Sequence, residues 1–182
     1  MDQRGFTLWL TGLPRAGKST IAGLVAGRLR ALGVERIEVL DGDIVREGLC
    51  RGLGFSRADR TENIRRISLV SKLLTRNGVA VIVAAISPYR EDREHAREEI
   101  QSFVEVWCRA SVEACAARDY KGLYEKARRG EITNLTGVND PYEEPDDADL
   151  VLDTEAETPE ESADRVMAVL SAKGFVGGAR SS

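Results

Sequence analysis

The segment that most restricts the possible fold is a glycine-containing loop between an apolar run and a helical pattern. Residues 12–20 read GLPRAGKST and fit GxxxxGKS, whose backbone N–H groups form a nest for phosphate oxygens. Residues 6–10 predict a strand, and residues 18–32 carry the apolar stripe of a helix that stops at Gly33. This order predicts a nucleotide-binding α/β fold. The predicted nucleotide-binding residues of the loop are Gly12, Leu13, Pro14, Arg15, Ala16, Gly17, Lys18, Ser19 and Thr20.

Two side chains of this loop carry specific chemistry. Lys18 supplies a positive charge that can reach the β and γ phosphates, and the Ser19 hydroxyl can bind Mg²⁺. The helix that begins here directs its positive end at the same oxygens. Arg15 stands where many such loops carry Gly or Ala, and the sequence leaves open whether it adds charge to the site or points to solvent.

Strand-like and helix-like patterns alternate along the rest of the chain, which is typical of a parallel sheet with helices on both faces. We therefore predict a three-layer α/β/α fold of the phosphate-loop NTPase type, with a five-stranded parallel sheet, in a single domain of residues 1–182. The residues from about 175 onward predict a flexible tail. The predicted strands are residues 6–10, 36–40, 79–86, 103–107 and 150–154.

The composition excludes several classes of protein. The longest apolar run, residues 79–86, is too short to span a bilayer, and the N-terminus lacks the apolar core of a signal peptide. We therefore expect a cytoplasmic protein without a membrane partner. A net charge of -4 argues against nucleic acid as the main partner.

Cysteine and histidine are too few and too scattered to predict a disulfide framework, a zinc site or a catalytic imidazole. Cys50, Cys108 and Cys115 form no CxxC pair, so we expect buried, reduced thiols. The only histidine, His95, lies in a charged run that predicts a solvated helix face. Catalysis must therefore depend on carboxylates, Lys, Arg and hydroxyl groups.

Polar residues follow two predicted strands, at the sheet edge where open α/β proteins bind ligands. Asp41 and Asp43 follow the second strand and are candidates for binding an acceptor hydroxyl or a metal ion, although Asp43 could instead cap a helix. Ser87 follows the third strand, and Pro88 favours an extended backbone there. Ser87 could bind substrate, accept a phosphoryl group or cap the next helix. Since this strand ends without an Asp for Mg²⁺, Asp43 is the predicted substitute.

An arginine-rich segment, residues 46–66, carries six positive charges against three negative ones and predicts an anionic ligand nearby. Some of these charges fit the solvated face of a helix predicted from about Ser56 to Asn77. Phe55, just before that helix, could stack on a base or staple the helix start.

A basic stretch with a Gly hinge and a long polar loop follow the fourth predicted strand. The basic stretch, which starts at Arg118, could close over the phosphates as a lid and exclude water. Long loops in compact domains are usually functional or disordered. We therefore predict a lid and a substrate loop over about 118–149, with Arg118 as a further nucleotide-binding residue.

Several stretches of the chain, taken together, resemble the adenylylsulfate kinase (APS kinase) family. Their order and number make the resemblance more specific than the phosphate loop alone, and they cover nearly the whole chain. The stretches read LDGDIVREGL (40–49), LGFSRADRTENIRR (53–66), ISPYREDR (86–93), RDYKGLYEKAR (118–128) and TGVNDPYEEP (136–145).

The resemblance implies that ATP and adenosine 5'-phosphosulfate (APS) give ADP and 3'-phosphoadenosine 5'-phosphosulfate. By this analogy Arg46, Arg60 and Asn63 hold the phosphosulfate and ribose, Phe55 stacks on the acceptor adenine, and Lys121 reaches the transferring phosphate. The implied cofactors are ATP and Mg²⁺, with Ser19 and Asp43 as metal ligands, and the implied assembly is a homodimer. The predicted substrate-binding residues are Asp41, Asp43, Arg46, Phe55, Arg60, Asn63, Ile86, Ser87, Lys121 and Leu135.

Phosphoryl transfer mostly requires alignment and charge neutralisation, for which we predict the catalytic residues Lys18, Asp43, Ser87 and Lys121. Asp43 would orient or deprotonate the acceptor 3'-hydroxyl. Members of the family have been assigned a phosphoserine at the position of Ser87, but we favour direct in-line transfer because no histidine lies nearby in sequence to activate this serine.

One departure from the family pattern bears on the acceptor. Leu135 stands where the family usually has a Phe on the second side of the adenine, so affinity for APS could be lower or the acceptor could differ. The alternatives are another phosphate-loop kinase with a related acceptor and a nucleotide-binding regulatory module without catalysis. Intact Lys18, Ser19, Asp43 and Lys121 argue against the second.

Overall fold

A computed structural model of the protein describes residues 3–177, and one parallel sheet carries every strand in that range. The strands are β1 (Phe6–Thr11), β2 (Ile37–Asp41), β3 (Ala80–Ala84), β4 (Phe103–Arg109) and β5 (Leu150–Asp153). Their order in the five-stranded sheet is β2-β3-β1-β4-β5, and each neighbouring pair is parallel. The predicted phosphate-loop NTPase fold is confirmed.

Helices cover both faces of the sheet, which makes the predicted three layers. Side chains of β1 alternate between the faces: Leu8 and Leu10 join the core beneath α1 and α7, whereas Trp9 joins the core beneath α3 and α4. The helices are α1 (Lys18–Ala31), α2 (Gly42–Glu47), α3 (Arg57–Arg76), α4 (Arg90–Glu99), α5 (Val112–Ala117), α6 (Leu123–Arg128) and α7 (Pro159–Ala172).

Helix starts follow the sequence signals closely. The Ser56 hydroxyl accepts a hydrogen bond from the Asp59 N–H and caps α3, where the helix was predicted to begin. Thr158 and Glu161, which are spaced as a capping box requires, form one at the start of α7. Between residues 3 and 177, none of the helices combines the length and apolar character that a bilayer crossing requires.

The first residues of the predicted flexible tail pack against the core. The Phe175 ring stacks on Phe6 with 5.0 Å between centroids, and Val176 is buried in the core. These apolar contacts fix residues that look like a polar chain end in the sequence. The remainder of the predicted tail, residues 178–182, lies outside the described residues.

Candidate active site

The phosphate loop joins β1 to α1 at the carboxyl edge of the sheet, as predicted. Gly12 has φ 149°, and a Cβ at this position would lie 2.5 Å from the Cys108 carbonyl oxygen, so a larger residue would displace β4. Pro14, Arg15, Gly17, Lys18, Ser19 and Thr20 line the cleft, whereas Gly12, Leu13 and Ala16 lie behind its surface. The loop therefore presents most of its predicted residues to a ligand.

Lys18 is buried within this loop and held by two carbonyl groups. Its Nζ donates hydrogen bonds to the Gly12 oxygen at 2.9 Å and the Leu13 oxygen at 2.7 Å. Burial lowers the pKa of Lys18 to about 8, although the nearby carboxylates of Asp41 and Asp43 act in the opposite direction. An added anion such as a phosphate would therefore stabilise the charged form.

The two carboxylates after β2 have different surroundings. Asp41 accepts a hydrogen bond from the Ser19 hydroxyl at 2.5 Å and a second from the Asp43 N–H at 3.0 Å, and so caps α2. The alternative of a cap at Asp43 is therefore wrong. The exposed Asp43 carboxylate lines the cleft, where its negative charge attracts the positive charge of Arg46.

A divalent metal fits this corner of the cleft. The Ser19 hydroxyl and the Asp41 carboxylate are adjacent hard oxygen donors of the kind Mg²⁺ prefers. Within residues 3–177, no cluster of three or more His, Cys, Asp or Glu side chains could form a complete metal cage. This donor set suits Mg²⁺ held by few protein ligands together with substrate phosphates. The Ser19 hydroxyl donates its hydrogen bond to Asp41 and not to Asp43, the predicted metal ligand.

Arg46, Phe55, Arg60 and Asn63 line the part of the cleft at the start of α3, which we call the acceptor pocket after the role predicted for these residues. Arg60 is only 5% exposed and donates to the Phe55 oxygen at 2.9 Å and the Asn134 oxygen at 2.5 Å. The Asn63 side-chain oxygen is buried without a hydrogen-bond partner. Because an unsatisfied buried oxygen costs free energy, a ligand donor at this position would be favoured.

The Phe55 ring is partly exposed and has two arginines near it, with the Arg60 Cζ 5.6 Å from the ring centroid. It is 52% exposed, lines the cleft, and lies under the Arg46 guanidinium with 4.5 Å between the Arg46 Cζ and the ring centroid. Arg46 also donates to the Gly54 oxygen at 3.0 Å. The guanidinium therefore occupies one face of an aromatic platform at the mouth of the pocket.

Ser87 adopts a conformation that the sequence did not predict. Its φ is 48°, in the left-handed region, and not extended as Pro88 suggested. The Trp9 indole N–H donates to the Ser87 hydroxyl at 2.9 Å, and Arg93 donates to the Ser87 carbonyl at 2.6 Å. These buried contacts override the local preference. Ser87 does not cap α4, which begins after Tyr89 without a side-chain cap.

The lid segment covers the other side of the phosphate loop. The Tyr124 hydroxyl donates to the Pro14 carbonyl at 2.7 Å, and α6 begins beside it after a left-handed Gly122. Arg118 donates to the Thr154 carbonyl at 2.5 Å and lines the cleft together with Lys121. The segment predicted to be a lid thus lies against the phosphate loop, and two of its basic residues, Arg118 and Lys121, line the cavity.

These parts enclose one continuous cleft of about 1280 Å³. A pocket for one small ligand typically has a volume of about 300–1,000 Å³, so this cleft is larger than one small ligand requires. It runs from Arg118 past the phosphate loop to the acceptor pocket, where Ile86, Ser87 and the buried Leu135 line its wall. The structure therefore brings together the predicted nucleotide and acceptor residues.

Sequence reasoning missed three residues that shape this cleft. The Thr136 hydroxyl is buried without a partner in the cleft wall, a feature that no sequence signal indicates. Tyr124 holds the lid to the loop. The Arg93 side chain is 1% exposed, and its Nε lies 2.9 Å from the Glu105 carboxylate. Its neighbours in sequence are charged, so the sequence alone does not distinguish this buried arginine from the solvated ones.

Comparisons with known proteins agree on one family. The family model described as adenylylsulphate kinase matches residues 4–153. An adenylyl-sulfate kinase of Picosynechococcus sp. is 54% identical over 176 residues, which cover 97% of this chain and 99% of the relative. One of Microcystis aeruginosa is 55% identical over 176 residues, with 97% of each chain covered. The APS kinase CysC of Mycobacterium tuberculosis, solved with AMPPNP and APS, has a TM-score of 0.88 at 46% identity and covers 92% of this chain and 98% of its own.

Proposed function

The chain belongs to the adenylylsulphate kinase family, and from this membership we propose how its cleft carries out the reaction. It is an ATP-dependent kinase that transfers the γ-phosphoryl group of ATP to the 3'-hydroxyl of APS, giving ADP and 3'-phosphoadenosine 5'-phosphosulfate. The observation that carries the residue assignments is the single cleft that joins the phosphate loop to the acceptor pocket.

Donor and acceptor occupy opposite ends of this cleft. The ATP phosphates bind the loop N–H groups and Lys18, and the adenine lies toward Arg118 and Thr154. At the other end, Arg46 and Arg60 neutralise the phosphosulfate, which is a dianion suited to guanidinium groups. Asn63 offers its unpaired oxygen to a hydroxyl of the acceptor ribose.

Mg²⁺ would be held by the Ser19 hydroxyl and the Asp41 carboxylate, in preference to the predicted Asp43. When bound with the ATP phosphates, it would neutralise part of their charge. This assignment leaves the Asp43 carboxylate free to orient the acceptor 3'-hydroxyl and accept its proton. Lys121 contributes a further positive charge from the lid.

Direct in-line transfer agrees best with the surroundings of Ser87. Its hydroxyl accepts from Trp9 and donates to the Ala85 carbonyl at 3.3 Å, so no base is positioned to take its proton. A serine nucleophile requires such a base. We therefore assign Ser87 to shaping the cleft and not to carrying a phosphoryl group.

The function is tested by coupled detection of ADP with purified protein. ADP release should require APS and Mg²⁺, and other nucleotides or modified phosphosulfates should support it poorly. ADP release with a different acceptor in preference to APS would indicate a related kinase. Tight nucleotide binding without ADP release for any acceptor would indicate a regulatory module.

We expect nucleotide binding to take up protons at alkaline pH. At pH about 9, Lys18 is mostly neutral in the free protein because burial lowers its pKa to about 8, and bound phosphates would restore its charge. Binding should therefore consume up to about one proton, and affinity should fall as the pH rises above about 8. Calorimetry of ATP binding in buffers of different ionisation enthalpy measures this uptake.

The Lys18→Arg variant is the control for this measurement, since arginine keeps its charge throughout the range. Its binding heat should not depend on the buffer. A wild-type heat at pH about 9 that is also independent of the buffer would contradict the assignment of Lys18 to the ATP phosphates.

Replacing Leu135 by Phe should strengthen acceptor binding. Leu135 lines the cleft, where it offers apolar contact but no stacking. Aromatic stacking adds about 0.5–1.5 kcal/mol, so we expect the KM for APS to fall about 2-fold to 10-fold in Leu135→Phe. The KM for ATP should stay constant. Steady-state kinetics with both substrates measure the difference, and an unchanged or higher KM for APS would show that Leu135 does not flank the acceptor.

The homodimer and the cytoplasmic location also remain proposals, supported by the family membership. One relative, an APS kinase of Thiobacillus denitrificans, is described as hexameric, so assembly occurs among similar proteins. Light scattering of the purified chain during size-exclusion chromatography would determine its oligomeric state.

A further inference from the structure

Arg15 has a backbone conformation that residues with a side chain usually avoid. Its φ is 66°, in the left-handed region that favours glycine. Such conformations persist where surrounding contacts hold them, and they are concentrated at functional sites. Because Arg15 belongs to the phosphate loop, contacts of its side chain act directly on the nucleotide site.

The contacts of Arg15 all lead to the lid. Its Nε lies 3.5 Å from the Asp119 Oδ1, and its Cζ lies 4.3 Å from the centroid of the Tyr120 ring. The Asp119 side chain is only 1% exposed, so the ion pair is partly shielded from water. Tyr120 is 80% exposed, and Arg15 covers part of its ring. Two consecutive lid residues therefore attach to one side chain of the phosphate loop.

Asp119 in turn organises the lid turn. Its carboxylate accepts hydrogen bonds from the Lys121 N–H at 3.2 Å and the Tyr124 N–H at 2.9 Å. Burial alone would raise the pKa of Asp119, but these N–H groups and Arg15 hold it below its usual value, so the carboxylate is ionised. The same residue thus fixes the turn and anchors it to Arg15.

We propose that Arg15 is a positioning residue that fastens the lid turn, residues 119–122, to the phosphate loop before nucleotide binds. This attachment holds Lys121 at the cleft, where the phosphates of ATP are assigned, and reduces the ordering that binding must impose. The proposal rests on the ATP site described above. It gives a role to a residue that distinguishes this loop from those with Gly or Ala at the same position.

Hydrogen exchange of the full chain without nucleotide tests the attachment directly. Arg15→Gly suits the left-handed backbone and removes both lid contacts. We expect amide exchange over residues 119–124 to accelerate about 5-fold to 10-fold, and the KM for ATP to rise similarly while kcat changes less than about twofold. The small change in kcat follows because bound phosphates hold Lys121 in the wild type and the variant alike.

Three further variants separate the attachment from general destabilisation. Tyr120→Leu should reproduce part of the acceleration, Tyr120→Phe should not, and Tyr120→Leu should add nothing to Arg15→Gly because both remove the same stack. Arg4→Gly is the matched control: its Cζ lies 4.8 Å from the Phe175 ring, so it loses a comparable stack without changing exchange of the lid turn.

Unchanged exchange in Arg15→Gly, or fully additive effects of Arg15→Gly and Tyr120→Leu, would overturn the proposal. The exchange measurement contains neither ATP nor acceptor. Its result therefore stands even if the acceptor proves to be a compound other than APS.

Discussion

Turnover should fall by about a hundredfold or more when Asp43 is replaced by Asn, while ATP still binds. The substitution keeps the size of the side chain but removes the carboxylate that we assign to the acceptor 3'-hydroxyl. The Asp43 carboxylate lines the cleft and is not used for capping, so its loss should leave the fold unchanged. Steady-state ADP release at saturating ATP, APS and Mg²⁺ measures the effect.

Asp41→Asn and Glu47→Gln are the comparisons that make this result specific. Asn is as good a helix cap as Asp, so Asp41→Asn changes the charge beside Ser19 without removing the cap of α2. Its activity should recover in part as Mg²⁺ is raised, which Asp43→Asn should not do. Glu47 is exposed on the same short helix, so Glu47→Gln should leave turnover unchanged. Turnover of Asp43→Asn within about threefold of the wild type would exclude a base at this position.

The fold could be predicted because its signals are local and repeated. The uninterrupted apolar run that contains β3 predicts a central strand, and the Ser56 cap and Thr158 capping box mark two helix starts. The five parallel strands followed from the alternation of such patterns. The packing of Phe175 could not be predicted from its neighbours in sequence, because its partner, Phe6, lies at the other end of the chain.

Sequence patterns pointed to residues that the structure brings together in one cleft, but they did not predict the contacts between them. The strand β2 runs to Asp41 and not to Leu40, and this single residue decides which carboxylate caps α2 and meets Ser19. The left-handed Ser87 is a similar case, because Arg93 and Trp9 hold it through side chains buried beneath the sheet edge. Local sequence patterns contain no information on such tertiary contacts.

Arg93 should therefore be the residue whose loss most damages the acceptor side of the fold. Its guanidinium, only 1% exposed, donates to Glu105, to the Ser87 carbonyl and to the Glu143 carbonyl at 2.7 Å. Removing one partner of a buried ion pair costs about 3–5 kcal/mol, and Glu105 keeps Arg97 at 3.2 Å, so we expect Arg93→Met to lower the free energy of unfolding by about 3 kcal/mol. Urea denaturation of the purified variant measures the loss.

The double variant Arg93→Met with Glu105→Met separates the two roles of Arg93: pairing with the Glu105 carboxylate and holding the Ser87 carbonyl. In Arg93→Met the buried Glu105 carboxylate is left with only the half-exposed Arg97 at 3.2 Å. Replacing both ions by apolar groups removes this partly compensated charge, and Arg97 keeps Asp149 as a partner at 3.0 Å, so most of the stability should return. The KM for APS should be raised both in Arg93→Met and in the double variant, because in both the Ser87 carbonyl lacks its Arg93 donor and the left-handed turn at the cleft wall is held less firmly. Recovery of the KM together with stability would show that Arg93 acts only as a counter-ion. Arg93→Met within about 1 kcal/mol of the wild type would contradict this prediction and show that Arg97 alone compensates the Glu105 charge.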